Sequence, residues 1–147
     1  MITIALLQKL AEDIEELVLD KNLFCEELPV RPDGSFAQGV WAVSRGGSIA
    51  NNANGINLNL VIDIYVALGD RIAIETMHRK IAEWATQNRY ICELSGSIGD
   101  ATYELSNIRI RQTRTPQNSG ITENGVLVKV SSLEVYYDSI NNNEGGK

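Results

Sequence analysis

Between Asn57 and Ala67 the chain alternates: Leu58, Leu60, Ile62, Ile64 and Val66 take one parity, and Asn59, Val61, Asp63 and Tyr65 take the other. A period of two marks a strand with one face in a core. One strand cannot bury that face alone, so the rest of the chain must supply what covers it. Gly69 ends the run, Asp70 is placed to cap a helix, and Ile74, Met77, His78, Ile81, Trp84 and Ala85 then recur at three- and four-residue steps up to Asn88. That spacing predicts an amphipathic helix whose apolar stripe lies on the sheet.

Upstream, Gly39 to Arg45 reads as a partner strand, and the small polar run 46–55 as a mobile hairpin tip between the two. Downstream, Tyr90 to Ser95, Tyr103 to Arg114 and Gly125 to Asp138 read as three more strands, separated by loops at 96–100 and 116–124, with neighbours pairing antiparallel. In the last strand Val126, Val128 and Val130 hold one parity and Leu133, Val135 and Tyr137 the other, which predicts a β-bulge at Ser131-Ser132. At the N-terminus Thr3 is placed to cap a helix running to about Asn22, with Leu7, Leu10, Ala11, Ile14, Leu17 and Val18 inward and Glu12, Asp13, Glu15 and Glu16 in water. From Leu23 to Gln38 the chain carries Phe24, Leu28 and Phe36, is interrupted by Pro29, Pro32 and Asp33-Gly34, and reads as a long loop or arm. The order is α-β-β-α-β-β-β. It predicts one α+β domain over residues 1–140, an antiparallel sheet flanked by two helices, followed by a flexible tail at 141–147.

A chain of 147 residues is long enough for one core without covalent staples. Its formal charge of −6 opposes general adhesion to nucleic acid or anionic lipid. The longest apolar stretch, Leu58 to Leu68, contains Asn59 and Asp63 and is too short for a helical span, so no membrane partner is expected. With no basic region near Met1, the expected site of synthesis is the cytoplasm. Cys25 and Cys92 are far apart and part of no metal-ligand pattern; they read as buried small apolar groups, and neither metal nor cofactor is expected.

The only histidine, His78, falls on the apolar stripe with no Ser or Cys motif beside it, and reads as a core histidine, with a polar interface role as the alternative. No nucleophile elbow, phosphate-cradling loop or metalloprotease motif occurs, so catalysis is not expected. The candidates that remain are interface residues: Trp41, Arg45, Asp63, Tyr65, Arg109, Arg111, Arg114 and Tyr137. Asp63 lies opposite the aliphatic row and needs a partner; Arg109 or Arg111 across the sheet is the expected one, an intersubunit ion pair the alternative. Arg109 and Arg111 share a face, with Arg114 at the strand end, which is either a solvated strip balancing nearby acids or a dock for an acidic surface or a phosphate. Without interleaved exposed aromatics, single-strand nucleic-acid binding has weak support. Of Tyr136 and Tyr137, opposite parity puts at least one outward unless both faces are covered.

The chain resembles the tail terminator (tail completion) proteins of long-tailed bacteriophages, a family that overlaps the phage minor capsid proteins. The resemblance spans about Ile4 to Asp138 and rests on the opening helix, the hairpin from Gly39-Val40-Trp41 through Leu58-Asn59-Leu60-Val61-Ile62 with its small polar loop, the helix from Asp70 to Asn88, and the closing Glu134-Val135-Tyr136-Tyr137. It implies helices flanking an antiparallel sheet, and a homo-oligomeric ring, hexameric in that family, seated on the last ring of tail tube protein. Such a ring stops tube growth, docks the neck or head completion protein, lets DNA through without binding it, and resides in the virion. A head completion or connector protein is the nearest alternative; a small monomeric enzyme or ligand-binding module is the alternative of another class.

Overall fold

The computed structural model describes residues 2–26, 38–52, 55–121 and 127–139. Leu28, Pro29, Pro32 and Phe36 of the expected arm, the tip residues Ala53 and Asn54, residues 122–126 of the expected last loop and strand start, and the tail at 141–147 lie outside them.

The chain runs α1 (Ile2–Asp13), β1 (Leu23–Cys25), β2 (Gly39–Asn52), β3 (Gly55–Ala67), α2 (Arg71–Gln87), β4 (Tyr90–Ile98), β5 (Ala101–Ile121) and β6 (Leu127–Ser139). It forms a mixed α+β fold on one six-stranded sheet of order β1-β2-β3-β6-β5-β4. Every pairing is antiparallel except that of β1, which lies parallel to β2 with Leu23, Phe24 and Cys25 beside Val40, Trp41 and Ala42. The expected order therefore gains one strand, and the expected purely antiparallel sheet is mixed. The proline and Asp-Gly interruptions that suggested a loop all fall after Cys25, leaving Leu23-Phe24-Cys25 free to pair. Gly39 makes that pairing possible, because a Cβ there would sit 2.6 Å from the Asn22 carbonyl oxygen. With no side chain in the way, that carbonyl accepts the Val40 N–H at 2.9 Å and clips β1 onto β2.

Both helices pack on one face of the sheet. From α1, Ile2, Ala5, Leu6, Leu7 and Leu10 join Leu23, Val40, Ala42, Ile62, Ile64 and Val66, and from α2, Ile74, Ile81, Trp84 and Ala85 join Leu105, Ile108, Ile110, Leu133 and Val135, in a single core. The sheet curls around it, so that α1 touches β1 and β2 at one edge and β4 at the other. Gln8 bridges that gap, accepting from Tyr103 Oη at 2.6 Å and donating to the Ser97 carbonyl at 3.4 Å. Gly96 leaves the space the Tyr103 ring crosses, since a Cβ would lie 2.5 Å from its hydroxyl.

The first helix is shorter than its apolar periodicity predicts. Thr3 is buried inside α1 and is not its cap, and the helix ends at Asp13. Ile14 and Leu17 stay in the core through a tight turn in which the Leu17 N–H meets the Ile14 carbonyl at 3.0 Å, while Val18 is left 49% exposed. Asn22 ties the turn, donating to the Glu16 carbonyl at 2.8 Å and accepting from the Val18 N–H at 2.7 Å. A turn can keep the three- and four-residue spacing of inward positions after the helix has stopped, and periodicity alone cannot tell the two apart. The second helix matches its prediction: Asp70 caps it by accepting from the Ile72 N–H at 3.0 Å.

Four strands, β2 to β5, are longer than expected. β2 and β3 pair as far as Asn52 and Gly55, taking in most of the expected 46–55 tip, and β5 runs on to Ile121 through most of the expected 116–124 loop. The predicted bulge at Ser131-Ser132 is absent: β6 pairs with β3 in unbroken register from Val128 to Ser139. The irregularities lie in β5 instead, where four register shifts against β6 each add a residue to β5. Asn107 sits within the first of them at a left-handed φ of 51°. Bulges bend and twist a strand, and those in β5 accompany the curl that brings β4 under α1.

Candidate functional site

Because β6 keeps its register, its two apolar parities go to two faces. Leu133, Val135 and Tyr137 face the helices; Val128 and Val130 face away from them, beside Ala67 and Tyr65. On that second face, which no described helix covers, the pairings align side chains in rows across the sheet. Tyr90, Arg109, Tyr136 and Asn59 form one row, Arg111, Glu134, Val61 and Arg45 the next, then Arg114, Ser132, Asp63 and Val43. A fourth row contains Gln117, Val130, Tyr65, Trp41 and Phe24.

Seven of the eight candidate residues therefore share the helix-free face: Trp41, Arg45, Asp63, Tyr65, Arg109, Arg111 and Arg114. Tyr137 does not. It is 9% exposed in the core, where burial pushes its hydroxyl pKa up, and its neighbour Tyr136, 37% exposed, is the outward one. The signal was present in the sequence, since Tyr137 shares parity with Leu133 and Val135; the assumed bulge and the uncertainty over which faces are covered obscured it.

Asp63 is paired, but with neither Arg109 nor Arg111. Its Oδ2 accepts from Arg45 Nε at 2.6 Å and its Oδ1 from Ser132 Oγ at 2.6 Å. The reason is strand order: β6 lies between β3 and β5, so the β5 arginines are two strands away, while Arg45 is on the adjacent β2. The hydrogen bond to Asp63, reinforced by its charge, raises the Arg45 pKa. Arg111 takes the acid of its own neighbour, reaching Glu134 Oε1 at 2.5 Å, and Arg109 lies 5.6 Å from the centroid of the Tyr136 ring in a cation–π contact. Trp41 and Tyr65 stack with centroids 4.9 Å apart and planes at 10°, over buried Phe24, Ala67 and Val128.

Two contributors escaped the sequence reading. Tyr90, 53% exposed, stands beside Arg109, and its hydroxyl donates to Asn107 Oδ1 at 2.7 Å; Asn107 in turn donates to Asp138 Oδ2 at 2.8 Å. Aromatics are thus interleaved with arginine on this face, although the sequence reading found none there, because the interleaving arises across strands and not along one.

On the opposite face, His78 and Ser131 form the nearest approach to a nucleophile and base, with Ser131 Oγ 3.3 Å from His78 Nδ1. His78 is 2% exposed and Ser131 0%, so the pair is sealed between α2 and the sheet, and His78 is a core histidine in this fold. Its Nε2 lies 3.1 Å from the Lys129 carbonyl and must carry the proton, leaving Nδ1 to accept from the Ser131 hydroxyl. Burial pushes its pKa down from the usual 6.5, partly offset by the Lys129 carbonyl and by Glu75. The cysteines depart from expectation: Cys92 is exposed on β4, and Cys25 is only half-buried, its thiol pKa pushed up by burial and by Glu26. Among the described residues no group of three or more His, Cys, Asp or Glu is arranged to hold a metal, and no helix is long and apolar enough to cross a membrane.

A cleft of about 340 Å³ lies between the end of α1 and α2, lined by Asp13, Glu15, Glu16, Lys80, Glu83 and Trp84, with Ile14 and Gln87. Trp84 Nε1 donates to Asp13 Oδ2 at 2.9 Å, Lys9 reaches the same oxygen at 3.3 Å, and Lys80 pairs with Glu16. Glu15 and Glu83 point into solvent with no cation among these pairs. No known protein-family model matches the chain, and no curated protein matches it.

Proposed function

We propose that this protein is a structural subunit of a long-tailed bacteriophage: a tail terminator whose ring closes the head-proximal end of the tail tube, stops its growth and presents a docking face to the neck or head. The observation that carries the reading is the helix-free sheet face. It groups seven of the residues expected at an interface, and it leaves Arg109, Arg111, Arg114, Tyr90 and Tyr136 exposed where a neighbour can reach them. Arginine and tyrosine are the residue types that dominate protein interfaces. The α+β class and the closing strand through Tyr136-Tyr137 fit the family resemblance, while β1 adds a parallel strand to the order it implies. The charge of −6 suits a collar that DNA passes without being held.

Labelled antibody or density in an intact particle tests the reading, with a ring between tube and neck as the expected result. Placement on the head side of the neck favours a connector protein. A lone copy, or absence from the particle, sinks the structural reading. Tails assembled without the protein should exceed normal length and fail to join heads.

A further inference from the structure

We propose that neighbouring copies join head to tail, the arginine strip on the helix-free sheet face of one copy seating against the carboxylate cleft between α1 and α2 of the next. This rests on the ring reading and names its contact. Arg109 and Arg114 are exposed and have no carboxylate in salt-bridge range among the described residues, whereas Arg45 and Arg111 are already paired within the chain. The flanking exposed rings of Tyr90 and Tyr136 add apolar surface beside the free charges. Glu15 and Glu83, on the other side of the molecule, are exposed, line the cleft and have no cation in salt-bridge range among the described residues, so they offer matching anions.

The two patches lie on opposite sides of the sheet, since both helices cover one face and the strip occupies the other. Two different patches that fit each other make a heterologous contact, which propagates from copy to copy and closes into a ring when the rotation permits. An isologous pairing of strip with strip would bring Arg109 and Arg114 against their own kind, which opposite-charge docking avoids. Exposed charges of opposite sign on two faces of one chain thus let a second copy serve as the partner.

The test uses two charge-reversed full-length variants, Arg109→Glu/Arg114→Glu and Glu15→Lys/Glu83→Lys, all four positions being exposed. Circular dichroism checks that each variant folds, and sedimentation reads the mass. Each variant alone should associate roughly 10- to 1000-fold more weakly than the unaltered chain, because like charges then face each other. Mixed in equal amounts they should assemble again, alternating around the ring, and the chain carrying all four changes should assemble by itself. Folded variants that assemble as well as the unaltered chain overturn the proposal, as does failure of the mixture to recover. So does a strip that retains a labelled oligothymidylate strand, loses it on Arg109→Glu/Arg114→Glu and leaves assembly unchanged; it would then belong to a phosphodiester chain. Rings that form as described yet never cap tail tubes would refute the tail reading alone, and capping rings indifferent to the reversals would refute the contact alone. An unaltered chain that remains a monomer both in solution and on tubes overturns both.

Discussion

Asp63 is 7% exposed and carries two short hydrogen bonds, from Arg45 and from Ser132, which is itself 1% exposed. Asp63→Ala removes the acceptor and strands a buried hydroxyl, so denaturant unfolding should show a loss of about 1–3 kcal/mol. Asp63→Asn keeps an acceptor for Ser132 and should lose less. The alternative reading, an intersubunit pair, predicts instead that Asp63→Ala weakens assembly without destabilising the monomer. His78 supplies the pH dependence. Its folded pKa lies below the unfolded value near 6.5, so below that value the unfolded state binds the proton more readily. The stability His78 contributes as a neutral group is present in full above about pH 6.5 and falls as pH drops toward the folded pKa. His78→Gln can still donate to the Lys129 carbonyl and accept from Ser131, and unfolding midpoints measured from pH 7.5 to 5 should be flatter for the variant than for the unaltered chain. Thiol labelling should modify exposed Cys92 well before half-buried Cys25.

At the level of elements, legibility followed local chemistry. Asp70 announced α2 because a cap is written within a few residues of what it caps; Asp70→Ala should cost about 0.5–2 kcal/mol in thermal or denaturant unfolding. α1 was read too long, since Ile14 and Leu17 continue the helical spacing through a turn held by Asn22, whose bonds run to Val18 and Glu16. β1 was missed because three residues carry no period, and its place depends on the Val40-to-Asn22 bond that Gly39 permits. Gly39→Ala should push β1 away and destabilise by about 1–3 kcal/mol, with the amide of Val40 losing hydrogen-exchange protection first. At Asn107, whose φ of 51° is left-handed, Asn107→Val should be more harmful than Asn107→Gly, which keeps the backbone and loses only the Tyr90 and Asp138 bonds.

For the whole molecule, strand order is what rearranged the expected site. With β6 inserted between β3 and β5, Asp63 was handed to Arg45, Arg111 to Glu134, and Arg109 to Tyr136, leaving Arg109 and Arg114 without a carboxylate partner among the described residues. If those charges hold copies together, association should weaken as salt is raised from 0.05 to 0.5 M (buffer conditions), because exposed pairs are screened beyond a Debye length of about 10 Å at 0.1 M. Unfolding of the monomer, dominated by the apolar core beneath the helices, should change far less over the same range.

The amino-acid sequence by itself determined the α+β class, the core face of β3, and the position and cap of α2, because periodicity and capping depend on neighbours a few positions away. Only the tertiary structure decided which partners the charged side chains met. A strand's face is local, but its neighbour is chosen by the burial of the whole sheet against two helices. Hence the parity break in β6 was visible as a pattern, while its cause, two apolar faces at one strand and bulges displaced to β5, was not.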